Sequence, residues 1–215
     1  MNCENNLDLS IIQHNTARGT ANMHTCLEIG FRMKIDFICI QEPWVSRDNA
    51  YTVTHSAYQA ILPENRQIRP RAMIFALKNS KYQYCYRPDL CQDSDIIIID
   101  ILKNGIPELQ LINIYNEKSL EENCNEWTIQ RALRQLIPSK NALICGDFNA
   151  HHIWWNLESS NARNHEGLIE WLNQFDFELL NEPDIPTFFR QNLINKSVID
   201  LAFATKTLNQ KRSIT

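Results

Sequence analysis

Short apolar runs, many of them β-branched, recur along the chain and are broken by polar or turn-forming residues. Residues 7–15, 35–41, 57–62, 72–77, 95–102, 109–115, 142–147, 177–180 and 197–204 have the length and composition of strands. Residues 63–70 read as a loop, and Lys103-Asn104-Gly105 predicts a hairpin between two of the runs. Helical spacing appears at about 21–33, 120–137 and 165–175. In the second, Trp127, Leu133, Leu136 and Ile137 fall roughly on one side and Pro138 closes it. In the third, Asn164 offers an amino-terminal cap, and Leu168, Leu172 and Phe175 follow at intervals of four and three. Many strands with few helices predict an α/β chain of two packed sheets with helices outside. No repeat or linker divides it, so residues 1–215 read as a single domain.

Several runs end abruptly in polar groups. Ala-Leu-Ile-Cys is followed by Gly146-Asp147-Phe148-Asn149-Ala150-His151-His152, and Asp147 and Asn149, two apart, would face one way at the strand's carboxyl end. Layered α/β proteins usually keep their chemistry there. Asn15 closes the first run, where an Asx turn explains it equally well, and Arg18 just beyond is either a phosphate contact or a surface residue. Glu42 ends a buried run ahead of Pro43 and needs a partner. A hard cation such as Mg²⁺, which takes few carboxylates plus waters and phosphate oxygens, would supply one. Tyr115 ends another run as a core tyrosine or a phosphate donor. Asp200 lies in an apolar run and is costly without partners, and Thr187, Arg190 and Ser197 upstream are weak candidates for phosphate contacts.

Composition narrows the reading. The net charge of −4 does not advertise a polyanion-binding surface, but it only weakly disfavours a metal-dependent nuclease, which itself needs carboxylates. Seven cysteines without C-x-x-C or zinc-ligand spacing read as reduced thiols of an intracellular protein. The amino terminus lacks a leader pattern and no apolar segment approaches the ~20 residues needed to span a bilayer, so a soluble protein without a membrane partner is expected. Lys211-Arg212 is too short to serve as a nuclear signal.

Taken in order, Gln13-His14-Asn15, Gln41-Glu42-Pro43, Asn113-Ile114-Tyr115-Asn116, Gly146-Asp147-Phe148-Asn149-Ala150-His151 and Ser197-Val198-Ile199-Asp200-Leu201 resemble the endonuclease/exonuclease/phosphatase superfamily. Its apurinic-endonuclease-like branch from non-LTR retrotransposons is the nearest match, over about 9–204. The resemblance implies a four-layered α/β sandwich, two mixed β-sheets inside and helices outside, with the active site at one sheet edge. It further implies that Glu42 holds Mg²⁺, with Mn²⁺ an alternative, and that Asn15 assists. Asp147 would activate the attacking water, Asn149 would stabilise the phosphate and Tyr115 would contact the scissile phosphate. Asp200 would orient a catalytic histidine, with Arg18, Arg190 and Ser197 as further substrate contacts.

The implied activity is Mg²⁺-dependent nicking of target DNA, leaving a 3′-hydroxyl that primes reverse transcription. The implied partners are DNA and a reverse transcriptase domain in a longer polyprotein; the expected location is intracellular, and nuclear residence would follow from a genomic DNA substrate. The superfamily also carries a later Ser-Asp-His motif, whereas no histidine follows His165 here. The expectation is therefore a domain incomplete at its C-terminus and short of its last strand or strands, taken from a longer reading frame or a degenerate copy. Loss of such an acid or base costs ~10²–10⁴-fold in rate. His151 and His152 are weighed as substitutes and set aside, because geometry decides such roles. A catalytically inactive remnant that binds DNA or protein, and a phosphatase of the same superfamily, are the alternatives.

Overall fold

Side chains along each strand alternate between two environments, and that alternation sorts the apolar residues into separate cores. The computed structural model describes residues 8–65, 67–120, 124–157, 165–188 and 197–209. One sheet has the order β1 (Ile11–Asn15), β2 (Phe37–Gln41), β4 (Ala72–Leu77), β3 (Tyr58–Ile61). The other runs β5 (Tyr82–Tyr86), β6 (Ile96–Lys103), β7 (Ile106–Tyr115), β8 (Ala142–Asp147), β10 (Asp200–Thr205), β9 (Phe177–Leu179). Each sheet is mixed, since β1 with β2 and β7 with β8 are parallel and the other pairings antiparallel.

In β2, Ile38 and Ile40 face Met23 and Leu27 of α1 (Thr20–Met33), whereas Phe37 and Cys39 face the second sheet. In β6, β7 and β8, Ile97, Ile99, Leu111 and Leu143 fill the space between the sheets. Ile96, Ile98, Ile112 and Ile144 pack outward on α2 (Thr128–Arg131), the 3₁₀ turn Leu133–Gln135 and α3 (Leu168–Gln174). The order is thus helix, sheet, sheet, helices, the expected four-layered α/β sandwich. A final short helix, α4 (Lys206–Asn209), follows β10. No described helix is long and apolar enough to cross a membrane. The described cysteines are all free thiols, Cys39 and Cys145 being buried between the sheets.

The hairpin forms as predicted, with Asn104 and Gly105 both at positive φ in its turn. The long helix expected over 120–137 does not. Lys118 bridges Trp127, Arg131 donates to the carbonyls of Glu117 and Glu126, and only two short turns remain. These polar anchors outweigh the helical spacing of the apolar positions; residues 121–123 lie outside the described set. Strand β5 was not expected because its Tyr-Gln-Tyr-Cys-Tyr sequence is polar on the face it shows to solvent. The run 197–204 becomes a strand only from Asp200, and Ser197 instead pairs with Phe188 in an isolated bridge. Gly167, at φ 82, precedes α3, and the expected cap at 164 lies outside the described residues.

Candidate active site

The face between the sheets is apolar along most of its length and becomes polar at one end. Gln13, Gln41 and Asn113 are followed by Asn15, Tyr115, Asp147 and Asp200 on the same faces of their strands. Register brings them together: Asn15 lies opposite Gln41, and Asp147 lies between Tyr115 and Asp200. Glu42 follows Gln41 directly and adopts φ 45, turning its carboxylate back toward this end.

Hydrogen bonds then tie the two sheets. The Asn15 amide donates from Nδ2 to Asp147 Oδ2 at 2.9 Å and to Glu42 Oε1 at 3.3 Å. The Tyr115 hydroxyl donates to the same Glu42 oxygen at 2.9 Å. Gln13 donates from Nε2 to Asp200 Oδ1 at 2.8 Å and to Gln41 Oε1 at 2.9 Å. Gln41 in turn donates to Asn113, whose own amide reaches the carbonyls of Ile40 and Met73. The chain of amides has one direction, because Asn113 spends its N–H groups on backbone carbonyls and so must accept from Gln41.

Asn149 reaches the site by a route other than strand periodicity. Strand β8 ends at Asp147, and Asn149 sits beyond it at φ 46, its N–H donating to Asp147 Oδ1 at 3.0 Å and its side chain to Asn116 O at 3.1 Å. Ala17 (φ 47) and Arg18 (φ 59) share this left-handed conformation with Glu42 and Asn149. Such conformations cost about 1–3 kcal/mol each and gather at functional sites. Gly146 is required here, since a Cβ would lie 1.9 Å from the Ile114 carbonyl oxygen.

Charge is unevenly distributed. Glu42, Asp147 and Asp200 converge, and the half-exposed Arg18 guanidinium pairs with Glu42 Oε2 at 3.2 Å. Burial, and then the charge of Asp200, push the Asp147 carboxyl up to about 7 against the pull of the Asn15 and Asn149 N–H groups. Burial raises Asp200 as well, although Gln13 and Thr187 oppose it. Burial and the neighbouring Glu42 charge raise the Tyr115 phenol far above its usual range, which keeps it a donor. Among the described upstream candidates, Thr187 is drawn to the site, its hydroxyl accepting from the N–H of Ile199 and Asp200. Ser197 contributes its backbone to the bridge with Phe188, and Arg190 lies outside the described residues. His152 is packed among Trp154, Trp155 and His165 rather than facing Asp147.

The residues able to hold a metal are Glu42, through its carboxylate, and Asn15, through the carbonyl oxygen that also accepts from Ala17 N–H. Among the described residues no three His, Cys, Asp or Glu side chains form a ligand cluster. An oxygen-only set of one carboxylate and one amide suits Mg²⁺ or Mn²⁺ completed by waters and phosphate oxygens. Sequence reasoning missed Gln13, Gln41 and Asn113, although each follows the same two-residue period as the site residues. It also missed Arg71 and Asp95, ionised groups at the entrances to β4 and β6, where polar residues are usually turn formers.

Residues 109–215 match the family model described as endonuclease-reverse transcriptase. No curated protein matches the chain. Among solved structures, the endonuclease domain of TRAS1, a telomere-specific non-LTR retrotransposon, superposes with a TM-score of 0.73 at 21% identity, covering 94% of this chain and 87% of that one. An AP endonuclease from Leishmania major gives a TM-score of 0.67 at 9% identity, with 94% and 80% covered. The catalytic domain of APE2 from Xenopus laevis gives 0.61 at 15% identity, with 93% and 83% covered. With the layered sheets, the polar strand ends and the family match in agreement, residues 109–215 belong to the endonuclease/exonuclease/phosphatase superfamily, and the described chain as a whole has the fold of these endonucleases.

Proposed function

We propose that this domain is a metal-dependent endonuclease that hydrolyses a phosphodiester bond of DNA. One observation carries the reading: Asn15, Glu42, Tyr115 and Asp147, drawn from both sheets, meet in a single hydrogen-bonded group at the end of the gap between them. Phosphodiester hydrolysis needs an aimed water, stabilisation of growing charge on the phosphoryl oxygens and a way to hold the phosphate. Asp147, whose carboxyl is poised near neutrality, is the group suited to take a proton from water. Asn15 and Asn149 brace its two oxygens. The Tyr115 hydroxyl and the exposed Arg18 are donors for phosphate oxygens. Glu42 and Asn15 would hold Mg²⁺ or Mn²⁺, which when bound neutralises charge on the phosphoryl oxygens. Asp200, which accepts from Gln13 and whose N–H donates to Thr187, would orient a histidine supplied from elsewhere in a longer polyprotein.

A target-nicking role beside a reverse transcriptase fits the description of the matched family model and the retrotransposon origin of the TRAS1 domain, and action in the nucleus would follow from a genomic DNA substrate. The test is conversion of supercoiled plasmid to open circles by the purified protein in Mg²⁺ or Mn²⁺, suppressed by EDTA. DNA binding without nicking would favour the inactive remnant, and phosphate release from an inositol phosphate would favour a phosphatase.

A further inference from the structure

Tyr115 and Glu42 rest on a buried ion cluster. Arg71, only 4% exposed, donates to both oxygens of the fully buried Asp95 carboxylate, from Nε at 2.6 Å, and to Lys118 O at 2.7 Å. Arg131 donates to the same carboxylate and, at 2.8 Å from Nε, to Asp93. The guanidinium carbon of Arg71 lies 5.5 Å from the centre of the Tyr115 ring. Its backbone carbonyl accepts the Glu42 N–H at 2.9 Å, where Glu42 is in its left-handed conformation. The Asp95 carbonyl accepts the Tyr115 N–H at 2.9 Å. Thr128 Oγ closes the cage, 2.8 Å from the Tyr115 carbonyl oxygen and 3.1 Å from Asp95 Oδ2.

Stability alone gives little reason for such a cluster. Burying ions costs desolvation, and well-packed apolar residues of similar volume usually serve as well or better. The arginine offers geometry instead: a planar, rigid fork, pinned by two carboxylate oxygens, whose face supports an aromatic ring. Its contacts with Asp95 and Lys118 are internal, so the guanidinium is engaged away from a substrate phosphate.

We propose that Arg71, locked by Asp95 and Arg131, is a positioning residue that sets the Tyr115 hydroxyl against the Glu42 carboxylate. The proposal rests on the phosphodiesterase reading of that pair. The Arg71 side chain acts through Tyr115, from beneath its ring, and reaches Glu42 by way of the Tyr115 hydroxyl; the bond from the Glu42 N–H to the Arg71 carbonyl is kept whatever side chain stands at this position.

The experiment compares Arg71→Lys, which keeps the charge and loses the fork, in wild-type and Tyr115→Phe backgrounds. Plasmid-nicking kcat and KM, Mn²⁺ binding by electron paramagnetic resonance and the melting temperature are measured for each. Expected are a drop in kcat of about 10-fold with KM within about 2-fold, and Mn²⁺ binding weakened about 3-fold. Both effects should shrink to less than about 2-fold once the Tyr115 hydroxyl is gone, the non-additivity of groups that act as one unit. Thr128→Val, which keeps every charged group and removes only the hydroxyl shared by Asp95, Arg131 and the Tyr115 carbonyl, should give a smaller effect that Tyr115→Phe again removes, and it serves if Arg71→Lys does not fold. Equal effects in both backgrounds, or none, would overturn the proposal. If the unaltered protein does not nick, the phosphodiesterase reading fails by itself. The Mn²⁺ measurements then decide the positioning: weakening that Tyr115→Phe abolishes supports it, and unchanged binding overturns it.

Discussion

Asp147 holds its carboxylate where a negative charge is disfavoured, 5% exposed and across the strand pair from Asp200. Its carboxyl is raised from an ordinary value near 4 to about 7, so the folded state binds this proton more tightly than the unfolded chain does. The stability it contributes is full below pH 4 and is lost as the pH rises to about 7. Asp147→Asn, assayed in EDTA, should therefore stabilise the fold by roughly 1–3 kcal/mol at pH 8, less than the full shift implies because one oxygen acceptor is lost. The gain should vanish below about pH 4, and urea unfolding at both pH values reads it. An equal gain at both would mean that burial of charge is not the cause. Activity should fall in the same variant, a trade of stability for function common at such sites.

At the scale of elements, the polar end of the space between β2 and β7 is what fixes the sheets against each other. Burial of the apolar rows behind it is non-directional, whereas the hydrogen-bonded amides accept only one alignment. Gln41→Leu would leave the buried Asn113 carbonyl and the Gln13 amide short of partners, at a cost of about 1–3 kcal/mol in melting measurements. Nicking should fall by more than that loss of stability explains, because Glu42 is the next residue. Strands and site ends were legible in the sequence for one reason: Asn15, Glu42, Tyr115, Asp147 and Asp200 each interrupt or end an apolar run, and burial of a polar group without a partner is costly. The helix over 120–137 was misread because hydrophobic spacing reports a face, whereas Arg131 and Thr128 anchor that stretch through carbonyls far apart in sequence. The cage around Tyr115 was invisible for the same reason, since Arg71, Asp95 and Arg131 meet only through the fold.

Across the whole molecule, the four layers have one functional consequence: Asn15 and Glu42 come from one sheet, Tyr115, Asp147 and Asp200 from the other. The site exists only where the sheets face each other, and neither sheet carries it alone. On the proposed reading this composite corner would cleave phosphodiesters with a metal held by Glu42 and a water activated by Asp147. Single-turnover nicking of plasmid DNA by Glu42→Ala and Asp147→Ala, with Mn²⁺ binding measured on the same samples, tests it most directly. Both variants should lose at least about 10²-fold in rate, with Mn²⁺ affinity collapsing in Glu42→Ala and largely retained in Asp147→Ala. Nicking at the unaltered rate by either folded variant would mean that this corner is not the catalytic site.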